Sequence, residues 1–246
     1  MKENFEKLNN KLNSLEKEPE YFFKEVFNEL EILTFSLVKK LKEGIDKGEY
    51  DMLIGDDASG RIPTLVLRGI LNSRKRKLNP ELKCVDSEIK TRFVAGGQLE
   101  NEKELEVAFD KIKSENFKKA LIVTEYISSG KSMERIAKVL NDFKIPFDIA
   151  AFISNKEKIQ IPESSRLLYG ELSSDDIYEE IPPVFYDKPE ISGVIKDPNP
   201  KSYAVPFIKD LAAEKDELKD IQEKINLSRK DIDLLVKKTI KEVWHE

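Results

Sequence analysis

Short apolar runs alternate with helical stripes of apolar residues through the central part of the chain. The runs predict buried strands at 50–55, 83–89, 121–123 and 147–153. The stripes predict helices at 62–71, 102–113 and 133–140. Strands that alternate with helices are typical of an α/β fold, so we expect an open, mostly parallel sheet with helices on both faces.

Both ends of the chain carry amphipathic patterns that add helices to this sheet. The stripes predict a short helix at 5–15, a long helix at 21–43, and a helical hairpin from 209–225 and 229–244. Ser228, followed by Asp231, is a capping-box variant at the start of the second hairpin helix. Because amphipathic helices this short need a partner, we expect a homo-oligomer or a partner protein bound through them.

Proline is frequent between the sheet and the hairpin and predicts short strands and loops that cover a site. The patterns divide the chain into an N-terminal helical extension (1–48), an α/β core (49–160), an irregular hood (161–206) and a C-terminal helical hairpin (207–246).

The most informative turn follows the strand at 121–123. It consists of Ser128, Ser129, Gly130, Lys131 and Ser132. A parallel strand that ends in such a turn directs backbone N–H groups and a helix N-terminus at one point, where an anion is stabilised. The pattern therefore predicts a phosphate-binding turn. The alternative is a helix that Ser128 or Ser129 merely caps.

A Walker A loop is excluded at this turn. That motif ends in Gly-Lys followed by Ser or Thr, as Gly130 and Lys131 do here, but it also needs a Gly five residues before the Gly-Lys pair. Glu125 stands at that position.

A second strand–turn–helix unit lies upstream. Its turn consists of Asp56, Asp57, Ala58, Ser59, Gly60 and Arg61. Turns that follow parallel strands share the carboxyl edge of the sheet, where open α/β folds bind ligands. Arg61 is suited to an anion through its two-pronged donor geometry, and the alternative is a surface ion pair between Arg61 and Asp57.

The segment around the first of these turns resembles the phosphoribosyl-diphosphate (PRPP) loop of the type I phosphoribosyltransferases. That loop has an apolar strand, an acidic pair, two apolar residues and a turn with Thr or Ser, Gly and a further Thr or Ser. The corresponding residues are 121–123, Thr124 and Glu125, Tyr126 and Ile127, and the turn 128–132. Thr124 replaces one acid of the pair, and Ser128 stands where the family often has an acid.

The resemblance covers residues 50–155 and implies transfer of phosphoribosyl from PRPP to a nitrogen base with release of pyrophosphate. It assigns the 5′-phosphate to Ser128, Ser129, Gly130, Lys131 and Ser132, the ribose hydroxyls to Thr124 and Glu125, and the pyrophosphate to Ala58, Ser59, Gly60 and Arg61. Mg²⁺ is expected near Asp56 and Asp57 through water. Glu125, Arg61 and Ser128 are the expected catalytic residues, and Lys90 and Arg92 are expected in a flexible loop that closes over the pyrophosphate.

A different class of protein shares these features. Thr124 and Ser128 lack the acidity of the family motif, which favours a PRPP- or nucleotide-binding regulatory or interaction protein, including one with a defence-associated role. The sequence leaves this alternative open beside the transferase.

Composition narrows the remaining classes. The net charge of −5 argues against general nucleic-acid binding, and the basic cluster at 74–77 is expected in a solvated loop. Cys84 and His245 are the only cysteine and histidine, which excludes a disulfide framework, the usual zinc sites and cysteine–histidine catalysis. An apolar signal core and an 18-residue apolar run are both missing, so we expect a cytoplasmic protein that does not bind membranes.

Overall fold

A computed structural model describes residues 19–56, 59–81, 88–94, 109–110, 117–155, 159–171, 188–195, 205–206 and 215–246. Its central sheet contains β1 (Met52–Asp56), β2 (Lys90–Val94), β3 (Ala120–Ile127), β4 (Phe147–Ser154) and β5 (Leu167–Tyr169). The strand order is β2-β1-β3-β4-β5, and every neighbouring pair is parallel. The predicted α/β class with an open parallel sheet is confirmed.

In the described residues the sheet is accompanied by the helices α1 (Lys24–Asp46), α2 (Arg61–Leu78), α3 (Lys131–Asp142), α4 (Pro189–Ser192) and α5 (Lys215–Trp244). A short antiparallel ribbon of β6 (Val194–Ile195) and β7 (Val205–Pro206) follows α4. None of the helices in the described residues is both long enough and apolar enough to cross a bilayer.

Alternate residues of the strands face two separate apolar cores. Leu121 and Val123 of β3 pack in a core with α1, α2 and α5, whereas Ile122 between them packs with α3. The sheet is therefore covered by helices on both faces, as expected for buried parallel strands.

The predicted C-terminal hairpin is wrong, because residues 215–244 form one continuous helix. Asp231 does not cap a second helix there. It is fully buried, and its two carboxylate oxygens accept the backbone N–H groups of Phe22 and Phe23 at 2.9 and 2.8 Å, next to the start of α1. Packing on α1 and α2 continues past Ser228, where neither Gly nor Pro interrupts the chain, and it outweighs the local capping signal.

The long helices at the two ends are part of the core rather than additions to it. The side chain of Leu37 in α1 and that of Leu235 in α5 are fully buried in the same apolar cluster as α2. The apolar stripe of α5 is thus covered within the chain, and binding of a partner remains a prediction. The helix predicted at 5–15 lies outside the described residues.

The basic cluster at 74–77 lies in the last turns of α2 and not in a solvated loop. Arg74 is 6% exposed and donates to Asp46 at 3.0 Å and to Glu246 at 2.6 Å. Its guanidinium carbon also lies 4.4 Å from the centroid of the Trp244 ring. These contacts explain the burial of the arginine, since its charge is paired with two carboxylates.

A buried carboxylate joins three strands at the amino edge of the sheet. Asp148 accepts hydrogen bonds from the Tyr50 hydroxyl at 2.6 Å and from Nη2 of Arg166 at 2.8 Å, and Nζ of Lys119 lies 2.8 Å from it. Burial raises the pKa of the Asp148 carboxyl, but the hydrogen bonds from Arg166, Lys119 and Tyr50 outweigh burial and hold the pKa below its ordinary value. This network stabilises the edge opposite to the predicted site.

Candidate functional site

The order of the strands reverses between the neighbouring parallel strands β1 and β3, because β2 is added on one side of this pair and β4 on the other. The connection after β1 leads into α2 on one face, and the connection after β3 leads into α3 on the other. Connections that diverge in this way leave a crevice at the carboxyl edge of a parallel sheet, and open α/β folds bind ligands there. The two turns predicted from the sequence border this crevice.

The turn after β1 lies directly on the ends of two strands. The Ser59 hydroxyl donates to the carbonyl of Asp56 at 3.1 Å and lies 3.5 Å from Oγ1 of Thr124. A Cβ on Gly60 would lie 2.4 Å from the amide nitrogen of Asp56 and 2.5 Å from the carbonyl oxygen of Val123. Glycine is required here because the backbone approaches too closely for any side chain. Asp57 and Ala58 lie outside the described residues.

The turn after β3 has a glycine at its critical position. Gly130 has φ +82° and ψ −12°, the left-handed region, and is the N-cap of α3. A Cβ on Gly130 would lie 2.6 Å from Cγ2 of Ile159. Ser129 and Lys131 are exposed, and the backbone N–H of Lys131 donates to Ser129 Oγ over a long 3.4 Å. Serine capping is therefore a minor feature of this turn. Its remaining members are Ser128, which is exposed, and Ser132, which is half-buried.

Two helix N-termini meet at the crevice. Glycine is the N-cap residue of both helices, Gly60 of α2 and Gly130 of α3. Glycine has no side chain that could accept a hydrogen bond from the first turn. The first turn of a helix carries backbone N–H groups without partners in the helix, and its dipole attracts negative charge. The crevice is thus bordered by two sets of backbone donors suited to an anion.

Thr124 and Glu125 lie inside β3 rather than past its end, because the strand continues to Ile127. The side chains of both residues are 1% exposed. Alternation along the strand places Glu125 on the face of Val123, with α2 and α5, and Thr124 on the face of α3. The predicted ribose-binding pair is therefore buried and divided between the two faces of the sheet.

Arg61 reaches the crevice as the first residue of α2. The side chain of Phe93 in β2 positions it, with the guanidinium carbon 4.5 Å from the ring centroid. Lys90 and Arg92 lie in the same edge strand, so their predicted placement in a flexible loop is wrong. Pairing with β1 explains the difference, since Lys90 and Arg92 lie opposite Met52 and Ile54.

The sequence analysis missed Arg229 of α5. Its Nη2 donates to the carbonyl of Ser192 at 3.1 Å, and burial together with the positive charge of Arg61 lowers the pKa of the Arg229 guanidinium. No local pattern could identify this residue, because its position depends on how α5 packs against α2.

Asp56 ends β1 as a half-buried carboxylate beside the crevice. The described part of the chain holds no group of three or more potential metal-ligating side chains. Mg²⁺ typically takes one or two protein carboxylates and completes its shell with water and phosphate oxygens, so a single aspartate is compatible with a metal shared with a ligand.

An open cavity of about 720 Å³ begins beside the turn after β3. Lys131, Arg135 and Lys138 line it from one side of α3, and the peptide N–H of Gln160 donates to Glu134 at 2.9 Å across it. The cavity follows α3 as far as Asn141, so it extends away from the crevice.

Comparison with known proteins identifies no relative of this chain: no protein-family model, no curated protein and no solved structure matches it.

Proposed function

We propose that the crevice between β1 and β3 binds PRPP or another ribose 5-phosphate compound together with Mg²⁺. One observation carries the proposal: the two turns that resemble the phosphate and pyrophosphate turns of type I phosphoribosyltransferases border the same switch point, where Ser59 contacts Thr124. The resemblance in sequence and the position in the fold are independent arguments for one site.

In this proposal each of the two turns that border the crevice binds one end of PRPP. The 5′-phosphate lies at the turn from Ser128 to Ser132, where the N-terminus of α3 supplies backbone donors and positive potential. The pyrophosphate lies at the turn from Ser59 to Arg61, whose guanidinium is held by Phe93. Asp56 holds Mg²⁺ through water, and the metal when bound supplies positive charge to the leaving group.

The proposed reaction is a displacement at the anomeric carbon of the ribose. A nitrogen atom of the acceptor base forms the new C–N bond, the C–O bond to pyrophosphate breaks, and pyrophosphate leaves with the electron pair. The base gives up its N–H proton, which the departing pyrophosphate accepts. Positive charge develops on the sugar, and Glu125 stabilises it electrostatically from beneath the crevice.

Calorimetric titration of the full chain with PRPP and with ribose 5-phosphate, each with and without Mg²⁺, tests the binding proposal. We expect binding of both compounds, with PRPP more dependent on Mg²⁺. Product analysis after incubation with PRPP and a panel of bases then tests the transfer step. The proposal is wrong if neither compound binds at millimolar concentration in the presence of Mg²⁺.

The second candidate is a protein that binds such a ligand without turning it over. It is favoured by the burial of Thr124 and Glu125 on opposite faces of the sheet, because two such side chains cannot both hydrogen-bond the ribose hydroxyls from one side. Glu125→Gln separates the candidates. In a transferase this change lowers turnover more than affinity, whereas in a binding protein it alters affinity alone and the wild type shows no turnover. Glu163→Gln, at an exposed glutamate, is the control.

A further inference from the structure

Arg229 lies beside the first turn of α2 because α2 and α5 run parallel. A Cβ on Gly69 would lie 2.7 Å from Cγ2 of Val236, and further along both helices Arg74 stacks on Trp244 at 4.4 Å. The same register, followed back to the start of α2, brings Arg229 to the level of Arg61. Since α2 begins at the carboxyl edge of the sheet, Arg229 lies at the crevice too.

Two arginines at the contact between α2 and α5, Arg74 of α2 and Arg229 of α5, differ in their charge partners. Arg74, at the far end of α2, forms ion pairs with Asp46 and Glu246. Arg229 forms no ion pair with any carboxylate in the part of the chain that the structure describes, and its buried Nη1 has no acceptor there. The neighbouring charge that acts on it is the positive Arg61.

Two like charges at a partly buried position are unfavourable unless an anion compensates them. The Arg229 guanidinium is nevertheless held in place, since Nη2 donates to the carbonyl of Ser192 at 3.1 Å. A Cβ on Gly193 would lie 3.5 Å from the same nitrogen, so the backbone after α4 closes over the guanidinium. An arginine that is held in place with no counter-charge among the described residues is arranged for a ligand that supplies one.

We propose that Arg229 and Arg61 together bind a diphosphate group, so that α5 completes the pyrophosphate side of the crevice. The identity of the ligand as PRPP rests on the proposed function, whereas the binding of a diphosphate does not. Guanidinium groups suit this task because each offers two parallel N–H donors to phosphate oxygens. The 5′-phosphate is proposed at the turn containing Gly130, so its binding should not depend on Arg229.

Titration of the full chain with inorganic pyrophosphate and Mg²⁺ tests the inference, with ribose 5-phosphate as the second probe. Arg229→Met should weaken pyrophosphate binding about tenfold or more, the loss expected for a charge-assisted hydrogen bond, and leave ribose 5-phosphate binding unchanged. The melting temperature of the free Arg229→Met protein should equal or exceed that of the wild type, because an uncompensated charge is removed. Lys230→Met removes the neighbouring exposed charge and should bind both probes like the wild type.

Arg229→Lys keeps the positive charge but loses the two parallel N–H donors of the guanidinium group. If Arg229→Met melts at a lower temperature than the wild type, the Arg229→Lys variant is compared instead. The inference is supported if Arg229→Lys melts like the wild type and binds pyrophosphate more weakly. It is overturned if Arg229→Lys binds pyrophosphate as tightly as the wild type does. The inference also fails if the wild type binds no pyrophosphate or if Arg229→Met binds it unchanged. Arg229-dependent pyrophosphate binding without any ribose 5-phosphate binding would uphold the inference and overturn the proposed function.

Discussion

The hydroxyl oxygens of Ser59 and Thr124 lie 3.5 Å apart, although 65 residues separate them along the chain. Ser59 belongs to the turn after β1, and Thr124 belongs to β3, so this contact brings together the two connections that diverge at the switch point. The contact depends on Gly60, which allows the turn to rest on the strand ends.

Gly60→Ala should destabilise the protein by about 1–3 kcal/mol, the usual cost of overpacking. The added Cβ would meet the backbone of Asp56 and Val123 at 2.4 and 2.5 Å, and a backbone inside a sheet cannot move aside. Urea denaturation measures the loss.

Gly69→Ala is the matched control for Gly60→Ala. Its Cβ would meet the Val236 side chain at 2.7 Å, which can adjust, and alanine favours a helix interior by about 1 kcal/mol over glycine. We expect a smaller loss of stability than for Gly60→Ala. Equal stabilities of the two variants would contradict the close approach at Gly60.

Gly130→Val should reduce the affinity for ribose 5-phosphate at least about tenfold, the effect of losing one good hydrogen bond to a charged group. Valine is strained at φ +82°, and its Cβ would displace Ile159, so the turn changes shape. Calorimetric titration measures the affinity.

Gly48→Ala is the control for the strain alone. Gly48 also has positive φ, +61°, but no atom lies within 4 Å of its Cβ position, and it follows α1 rather than a strand of the switch point. It should lose some stability and keep wild-type affinity. Full binding by Gly130→Val would show that the turn is an ordinary helix start.

Leu235→Ala should destabilise the protein by about 2–5 kcal/mol, as expected for a large cavity in a core. Leu235 is fully buried where α5 meets α1 and α2. Lys237→Ala, at an exposed position of the same helix, should leave stability almost unchanged. If both variants melt like the wild type, α5 contributes nothing to the core and its apolar stripe is free for a partner.

Asp148→Asn should lower stability by about 1–3 kcal/mol at neutral pH, because the fully buried carboxylate loses its charge-assisted hydrogen bonds to Lys119 and to the exposed side chain of Arg166. The folded-state pKa of Asp148 lies below its ordinary value, so the stabilisation is present above that value and is lost as the pH falls through the folded-state pKa. The difference in the free energy of unfolding between Asp148→Asn and the wild type should therefore become smaller below about pH 4.

Denaturation midpoints from pH 7 to pH 3 measure this change. Glu163→Gln, at an exposed glutamate three residues before Arg166, is the control, and its stability should equal that of the wild type at every pH. A difference for Asp148→Asn that stays constant with pH would show that the carboxylate charge contributes nothing.

Local patterns were enough to predict most of the sheet and both turns. The runs at 50–55, 121–123 and 147–153 correspond to β1, β3 and β4 within a few residues, because buried parallel strands are continuous apolar runs. Gly60 and Gly130 were predicted in turns because small residues follow the apolar runs, and the close approach at Gly60 and the positive φ of Gly130 explain why glycine stands at each position. The α/β class and the edge of the sheet that carries the candidate site can therefore be predicted from these local patterns alone.

Contacts between distant segments decided the rest. Asp231 was assigned to a capping box next to Ser228, but it binds the N–H groups of Phe22 and Phe23, and one long α5 replaces the hairpin. Arg229 comes close enough to Arg61 to feel its charge only through the register of α5 on α2. The physical reason is that a propensity or a cap contributes about 1 kcal/mol locally, whereas the burial of a helix face against two others contributes several times more and depends on residues anywhere in the chain.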